Sequence, residues 1–207
     1  GFEDRGGAVF CDGASPKFVN MVITDCVSFY GGGISCLNGS APVFDDVIFS
    51  HNYASHSSGA LQLAASGILR HVDFLYNESD TYGGAVEVGS EGAPVLRRCN
   101  FIGNTGAYGG AIACNSNASP TLIDCVLKGN SSPLGGAMYL RVSSSPSLEN
   151  VAICGNTTTG RGGGIYVTAS AWPTLYRVTL ANNVAPPGGG TIYVSQNAGA
   201  TIDNTII

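Results

Sequence analysis

The residues of this 207-residue chain best suited to chemistry fall in a short span: Asp45 and Asp46, then Arg70, His71 and Asp73, then Arg97 and Arg98, then Asp124 with Lys128 nearby. Carboxylates beside guanidinium groups and an imidazole are what polysaccharide-cleaving sites bring to one groove, where one carboxyl gives a proton and another takes one. An acid/base patch built from Asp45, Asp46, His71, Asp73, Arg97, Arg98 and Asp124 is therefore one expectation. The other, which is preferred, is that opposite charges compensate one another on a solvated corner, each pair being worth about 0–1 kcal/mol. His51, His56 and His71 fall in different columns or loops without metal-ligand spacing, so no metal and no other cofactor is expected.

Which reading holds depends on the elements that position these residues, and a repeat organises them. Glycine-rich tetrapeptides start at Gly6, Gly31, Ser58, Gly83, Gly109, Gly135, Gly162 and Gly189, with a period of 25–27 residues. A second landmark, usually proline, follows at Pro16, Pro42, Pro94, Pro120, Pro146 and Pro173. Aligned on these marks, the interior columns are almost wholly apolar, for example Phe44, Leu69, Leu96 and Leu122, and Phe49, Phe74, Phe101 and Leu127. Alternation of period two over a few residues reads as short strands with one face buried. The expectation is an all-β right-handed parallel β-helix, a solenoid of about eight coils of 25–27 residues with three short strands per coil and no evident caps.

Asn52, Asn77, Asn104, Asn130, Asn156 and Asn183 recur ten residues after the proline mark, with Cys26 in the first coil. Stacked amides there form a structural ladder, each satisfying polar groups at a corner. The outward column of the first strand carries Tyr139, Tyr166 and Tyr193 on successive coils, a strip about 10 Å long on which a sugar ring or a partner protein can stack; the competing reading is cross-strand stabilisation.

Sequons occur at Asn38, Asn77, Asn117, Asn130 and Asn156. Asn38 and Asn117 sit in a loop and are the preferred glycan acceptors, whereas Asn77, Asn130 and Asn156 belong to the ladder. Cys11 and Cys36, and likewise Cys99 and Cys125, share interior columns on adjacent coils, open either to disulfides or to stacked free thiols. With seven cysteines at least one thiol stays unpaired, and cysteines plus sequons together point to an extracellular or cell-surface location.

Only 11% of residues are charged, the net charge is −5 and no basic cluster exists, so nucleic-acid binding is disfavoured. No apolar run approaches the roughly 18 residues of a membrane-spanning helix.

The motifs GGAV at 6–9 and 83–86, GGAI at 109–112, and FSHN, FLYN and FIGN ending at Asn52, Asn77 and Asn104 resemble the polymorphic outer-membrane protein repeats of surface adhesins. That resemblance implies a surface or secreted β-helix and an adhesive role, and it names no ligand. The expectation is one β-helix domain over 1–207, either a segment of a longer solenoid or one protomer of a head-to-tail stack. Its partners would be cell-surface glycans, proteins or further copies of itself. A structural or adhesin-like function, with filament formation through end-to-end contacts, is set against a polysaccharide-binding or polysaccharide-cleaving alternative.

Overall fold

The computed structural model describes residues 4–64 and 66–207; of the opening GFEDR, residues 1–3 lie outside the described residues. The chain winds as a parallel β-solenoid of about 7 turns. One sheet of eight strands takes one strand from each glycine motif, from Val9–Asp12 to Ile192–Val194, and neighbours pair in parallel and in register. A 13-stranded sheet collects the proline-led strands and the phenylalanine strands. These two run together as single eight-residue strands at Lys17–Thr24 and Val43–Ser50, and elsewhere separate into three-residue pieces such as Val95–Arg97 and Asn100–Ile102. Among the described residues no helix is long and apolar enough to cross a membrane.

A fourth pairing segment per coil adds to the three expected. It follows the ladder asparagine and forms a six-stranded sheet from Val27–Ser28 to Thr157–Arg161. Its inward column is hydroxyl-bearing or small rather than apolar: Ser28, Ala54, Ser79, Ser132 and Thr158 are all buried. The hydroxyls close the backbone locally; Ser132 Oγ donates to the Leu134 carbonyl at 2.8 Å and accepts from the Leu134 N–H at 3.1 Å.

Corners between segments are made by residues in the left-handed region. The fourth residue after the proline mark has positive φ in every coil, including Asp46 (53°), His71 (50°), Arg98 (53°) and Asp124 (55°). So does the residue before the ladder asparagine, as at His51, Tyr76, Gly103 and Gly129. The glycine pair makes the tightest corner: Gly109 sits at φ 76°, and a Cβ on Gly110 would lie 2.3 Å from the Gly136 carbonyl oxygen of the next coil.

Stacked side chains fill the interior. Phe49, Phe74 and Phe101 are fully buried, with centroids 5.2 and 4.6 Å apart and planes within 10°. Each large buried side chain of this kind contributes about 1.5–3 kcal/mol.

The asparagine ladder runs the length of the solenoid. Asn104 Nδ2 donates to the Phe74 carbonyl one coil back at 2.9 Å and to Asn130 Oδ1 one coil on at 3.0 Å. Asn104 Oδ1 in turn accepts from the Asn77 backbone N–H at 2.9 Å and from Asn77 Nδ2 at 3.0 Å. The same four bonds recur at Asn77, Asn130 and Asn156, so each amide there is saturated. Asn104→Ala orphans the Asn77 N–H and the Phe74 carbonyl in a dry corner. At roughly 1–3 kcal/mol per orphaned group it should cost about 3–5 kcal/mol, measured by chemical denaturation. Asn183→Ala, at a half-buried rung, should cost less.

Candidate functional site

The charged cluster lies on the corner after the proline mark. His71 Nδ1 is 3.5 Å from Asp46 Oδ1 and 4.0 Å from Asp45 Oδ1, and the ligand atoms of the three residues lie within 4.8 Å of one another. Histidine and carboxylates thus meet where sequence spacing suggested no metal-ligand set. Asp73 is drawn away from them and accepts a hydrogen bond from Asn100 Nδ2 at 2.8 Å. Arg97, Arg98 and Asp124 instead join Arg70 and His71 around a surface hollow of about 220 Å³, in which Asp124 is the one carboxylate. Asp124 is also held by Asn150 Nδ2 at 2.6 Å. Asp46, His71, Arg98 and Asp124 are exposed corner residues, so water surrounds the cluster and no wall desolvates it.

The tyrosine column differs from an open platform. Tyr139 and Tyr166 are only 7% and 9% exposed, because rings on successive coils lie face to face. Tyr139, Tyr166 and Tyr193 stack at 5.5 and 5.4 Å with planes within 10°. Tyr82 and Tyr108, from the fourth segment, extend the stack at 5.3 and 5.1 Å. Arg161 covers Tyr193, its guanidinium carbon 4.7 Å from the ring centroid, and Arg141 covers Tyr82 at 5.1 Å. Ring faces are therefore occupied along the stack, and chiefly edges meet solvent. Burial pushes the Tyr139 phenol up, partly offset by Arg141.

The trough that these tyrosines fill stays open farther along the same outward column, where Gln62, Glu87 and Ala113 replace them. One wall is the residue following each first strand: Ala64, Gly89, Asn115 and Arg141. Tyr82 stands on the opposite side. The hollow here holds about 200 Å³ and shares Gln62, Ala64 and Ser90 with a neighbouring one of about 510 Å³ lined also by Asn38, Tyr30 and Arg5. Among the described residues, Glu87 is the sole carboxylate lining either hollow. Ser57 Oγ donates to Glu87 Oε2, and Asn115 Nδ2 donates to Glu87 Oε1 at 2.9 Å. Asn115 is 6% exposed, yet its Oδ1 has no protein partner, and neither does the buried Nε of Arg141. Burial pushes the Glu87 carboxyl above its ordinary value, against hydrogen bonds from Ser57 and Asn115 and the nearby His56 and Arg141.

The family model for the right-handed β-helix region matches residues 3–171, most of the chain. The chain belongs to the right-handed β-helix family. Comparisons with curated proteins and with solved structures give no match.

In this β-helix three sequons are consequences of the coil. Asn77, Asn130 and Asn156 are ladder rungs, and the Ser or Thr two residues on is the buried hydroxyl of the fourth segment, Ser79, Ser132 or Thr158. The exposed sequon asparagines are Asn38 and Asn117, both at positive φ in the loop after the first strand. Asn38 Nδ2 donates to Asp12 Oδ1, whereas the Asn117 side chain makes no hydrogen bond among the described residues.

All seven cysteines are free thiols. Cys11 pairs in register with Cys36, and Cys99 sits one coil from Cys125, in each case as stacked thiols rather than a disulfide. Burial and then the neighbouring Cys11 push Cys36 up; the hydrogen bond with Cys125 and then burial push Cys99 up; burial pushes Cys114 up. Such thiols are poor nucleophiles. A brief maleimide pulse on the native protein should therefore label Cys26 and Cys154, the half-buried pair, ahead of the other five, as read by peptide mass mapping.

Glu87 carries a pH signature. A carboxyl whose folded pKa is raised penalises folding when ionised, and the penalty fades as pH falls from the folded value toward the ordinary carboxylate value. The melting temperature of the native protein should thus rise relative to Glu87→Gln between neutral and mildly acidic pH. A constant difference across that window would contradict the burial.

Proposed function

We propose that this chain is a non-catalytic, adhesin-like β-helix of the extracellular or cell-surface type, which recognises its partner through the first-sheet trough. The observation that carries this reading is the solitary carboxylate. Hydrolysis of a glycosidic bond by the usual route takes two carboxyl groups about 5–10 Å apart across the bond. Among the described residues the trough offers Glu87 alone, already bonded by Ser57 and Asn115. Asp45 and Asp46 do lie together, but on a corner with no enclosing wall. The GGAV and FxxN motifs support the adhesive reading, and the exposed sequons at Asn38 and Asn117 support the extracellular one.

A direct test incubates the protein with immobilised neutral and acidic polysaccharides and follows both retention and product release. Retention without new reducing ends or unsaturated products is expected. Release of product that disappears in Asp45→Ala or Asp46→Ala would replace the binding reading with a lyase or hydrolase.

End-to-end association is a second reading, favoured by apolar side chains exposed on the terminal coils. Met21, in the interior column of Val47, is exposed in the first coil, and Ile202, in the interior column of Leu175, is exposed in the last. Stacking of one end on the other would continue the sheets and cover both, a heterologous contact that propagates without closing. Negative-stain microscopy at high protein concentration should then show rods longer than one solenoid; uniformly single particles would rule this out.

A further inference from the structure

Cysteines at seven positions allow many pairings, and the coil register brings only two of them together. Cys11 and Cys36 are in-register partners on neighbouring strands of the first sheet. Cys99 and Cys125 are flanked on both sides by registered pairs, Arg97 with Ile123 and Asn100 with Val126, and the Val126 N–H donates to the Cys99 carbonyl at 3.0 Å. All four side chains are buried in the one core. The other three cysteines meet no cysteine on a neighbouring coil among the described residues. Cys114 lies between Val88 and Leu140, Cys154 lies between Lys128 and Ala181, and Cys26 abuts the ladder amide of Asn52.

Neighbouring coils put the Cα atoms of each pair about 4.8 Å apart, inside the range of roughly 4.4–6.8 Å over which a disulfide closes. Within each pair the two thiols already share a hydrogen bond, so closure asks for a lean of two side chains toward each other and leaves the ladder and the sheets in place.

Resting on the extracellular part of the reading above, we infer that Cys11 with Cys36 and Cys99 with Cys125 are cross-link sites, closing as two inter-coil disulfides in an oxidising compartment while Cys26, Cys114 and Cys154 stay thiols. The oxidant is a disulfide donor of that compartment, small-molecule or enzyme-bound. One thiolate of a pair attacks a donor sulfur, a mixed disulfide forms, and the first donor thiolate leaves. The second cysteine then gives its proton to solvent and attacks the sulfur of the first, and the other donor thiolate departs with the electron pair. Each pair thereby loses two electrons and two protons, and the donor is reduced to two thiols. Because the sulfurs are buried in the finished solenoid, exchange takes place before the flanking coils close over them.

The two bridges fall where coils need fastening. Val9–Asp12 is an edge strand of its sheet, held on one side only, and the bridge from Cys11 ties it to its single neighbour. The bridge from Cys99 to Cys125 ties the coil of Glu87 to the coil of Asn115, whose side chains meet in the trough.

The test folds the reduced, denatured full chain in a glutathione redox buffer, alkylates the remaining thiols, and maps peptides without reduction. Linkage of Cys11 to Cys36 and of Cys99 to Cys125 is expected, with Cys26, Cys114 and Cys154 alkylated. The linked protein should melt about 5–10 °C above a portion treated with a phosphine reductant. Valine already fills the Cys36 column at Val88 and Val167 and the Cys125 column at Val47, Val72 and Val151, so Cys36→Val and Cys125→Val keep the fold. Each should lose one linkage and part of the reductant effect, and the double variant should melt alike with and without reductant. Linkages through Cys26, Cys114 or Cys154, or free thiols at all four paired positions, would overturn the assignment, and one pair left unlinked would overturn it for that pair. The same map on protein whose thiols are trapped as it leaves its natural source tells the two readings apart. Linkage in the redox buffer beside free thiols in the source sample would remove the extracellular reading and leave the cross-link sites standing.

Discussion

A parallel solenoid has one demanding place in every turn, the corner where the backbone leaves one sheet before it pairs in the next. Here a column of side-chain amides meets that demand, each taking a carbonyl from the coil behind and offering its oxygen to the backbone and amide of that same coil. The bonds are almost wholly dry at Asn77, Asn104, Asn130 and Asn156, where their loss would be felt in full. Register follows from this. A slip of one residue would break every rung at once and turn the phenylalanine column outward, so the ladder and the apolar core specify the same stacking.

The corners also account for residues that look chemical. Positive φ is costly for most side chains and least so for Gly, Asn, Asp and His. The column at Asn20, Asp46, His71, Asp124, Asn150 and Asn204 is drawn largely from that set. Arg98 and Arg177 take the same conformation with long side chains that reach solvent. Proximity among Asp45, Asp46 and His71 thus arises because identical positions on neighbouring coils stack about 4.8 Å apart. Clustering of titratable groups in a repeat protein carries less functional weight than the same clustering in an irregular fold.

Much of the architecture was legible because columns are linear in sequence. Phe49, Phe74 and Phe101 recur at a fixed period, and that period alone indicates a shared interior. The fourth segment escaped notice because its inward residues, Ser79, Gly106 and Ser132 among them, are polar or small and give no hydrophobic alternation. The tyrosine column was located correctly, yet alternation tells only that a side chain points away from the core. It does not tell that neighbouring rings bury each other face to face, with Tyr82 and Tyr108 joining from another part of the coil. The trough was harder still. Glu87 is the lone carboxylate of its column, but Asn115 and Arg141 share a second column and Ser57 and Tyr82 a third, and nothing in their types or spacing marks these columns as neighbours. One signal was available: the break in the outward column between Ser35 and Ala113, where Gln62 and Glu87 interrupt an otherwise aromatic or small series.

That break separates the parts of this molecule that serve the fold from the part open to a ligand. An outward position on a coil contributes little to the core, so the solenoid accepts tyrosine, glutamine or glutamate there with the backbone unchanged, as the uninterrupted register from Leu61–Leu63 to Ile192–Val194 demonstrates. Tyrosine is the stabilising choice, since it stacks on its neighbours and covers the sheet. Glutamate is not. At Glu87 the chain buries an ionisable carboxyl that opposes folding at neutral pH, and beside it leaves Asn115 Oδ1 and Arg141 Nε without protein partners. Local choices that work against stability in an otherwise self-consistent repeat are where binding chemistry is to be sought. By that criterion the trough, rather than the more conspicuous charged corner, is the place where this scaffold departs from its own rules.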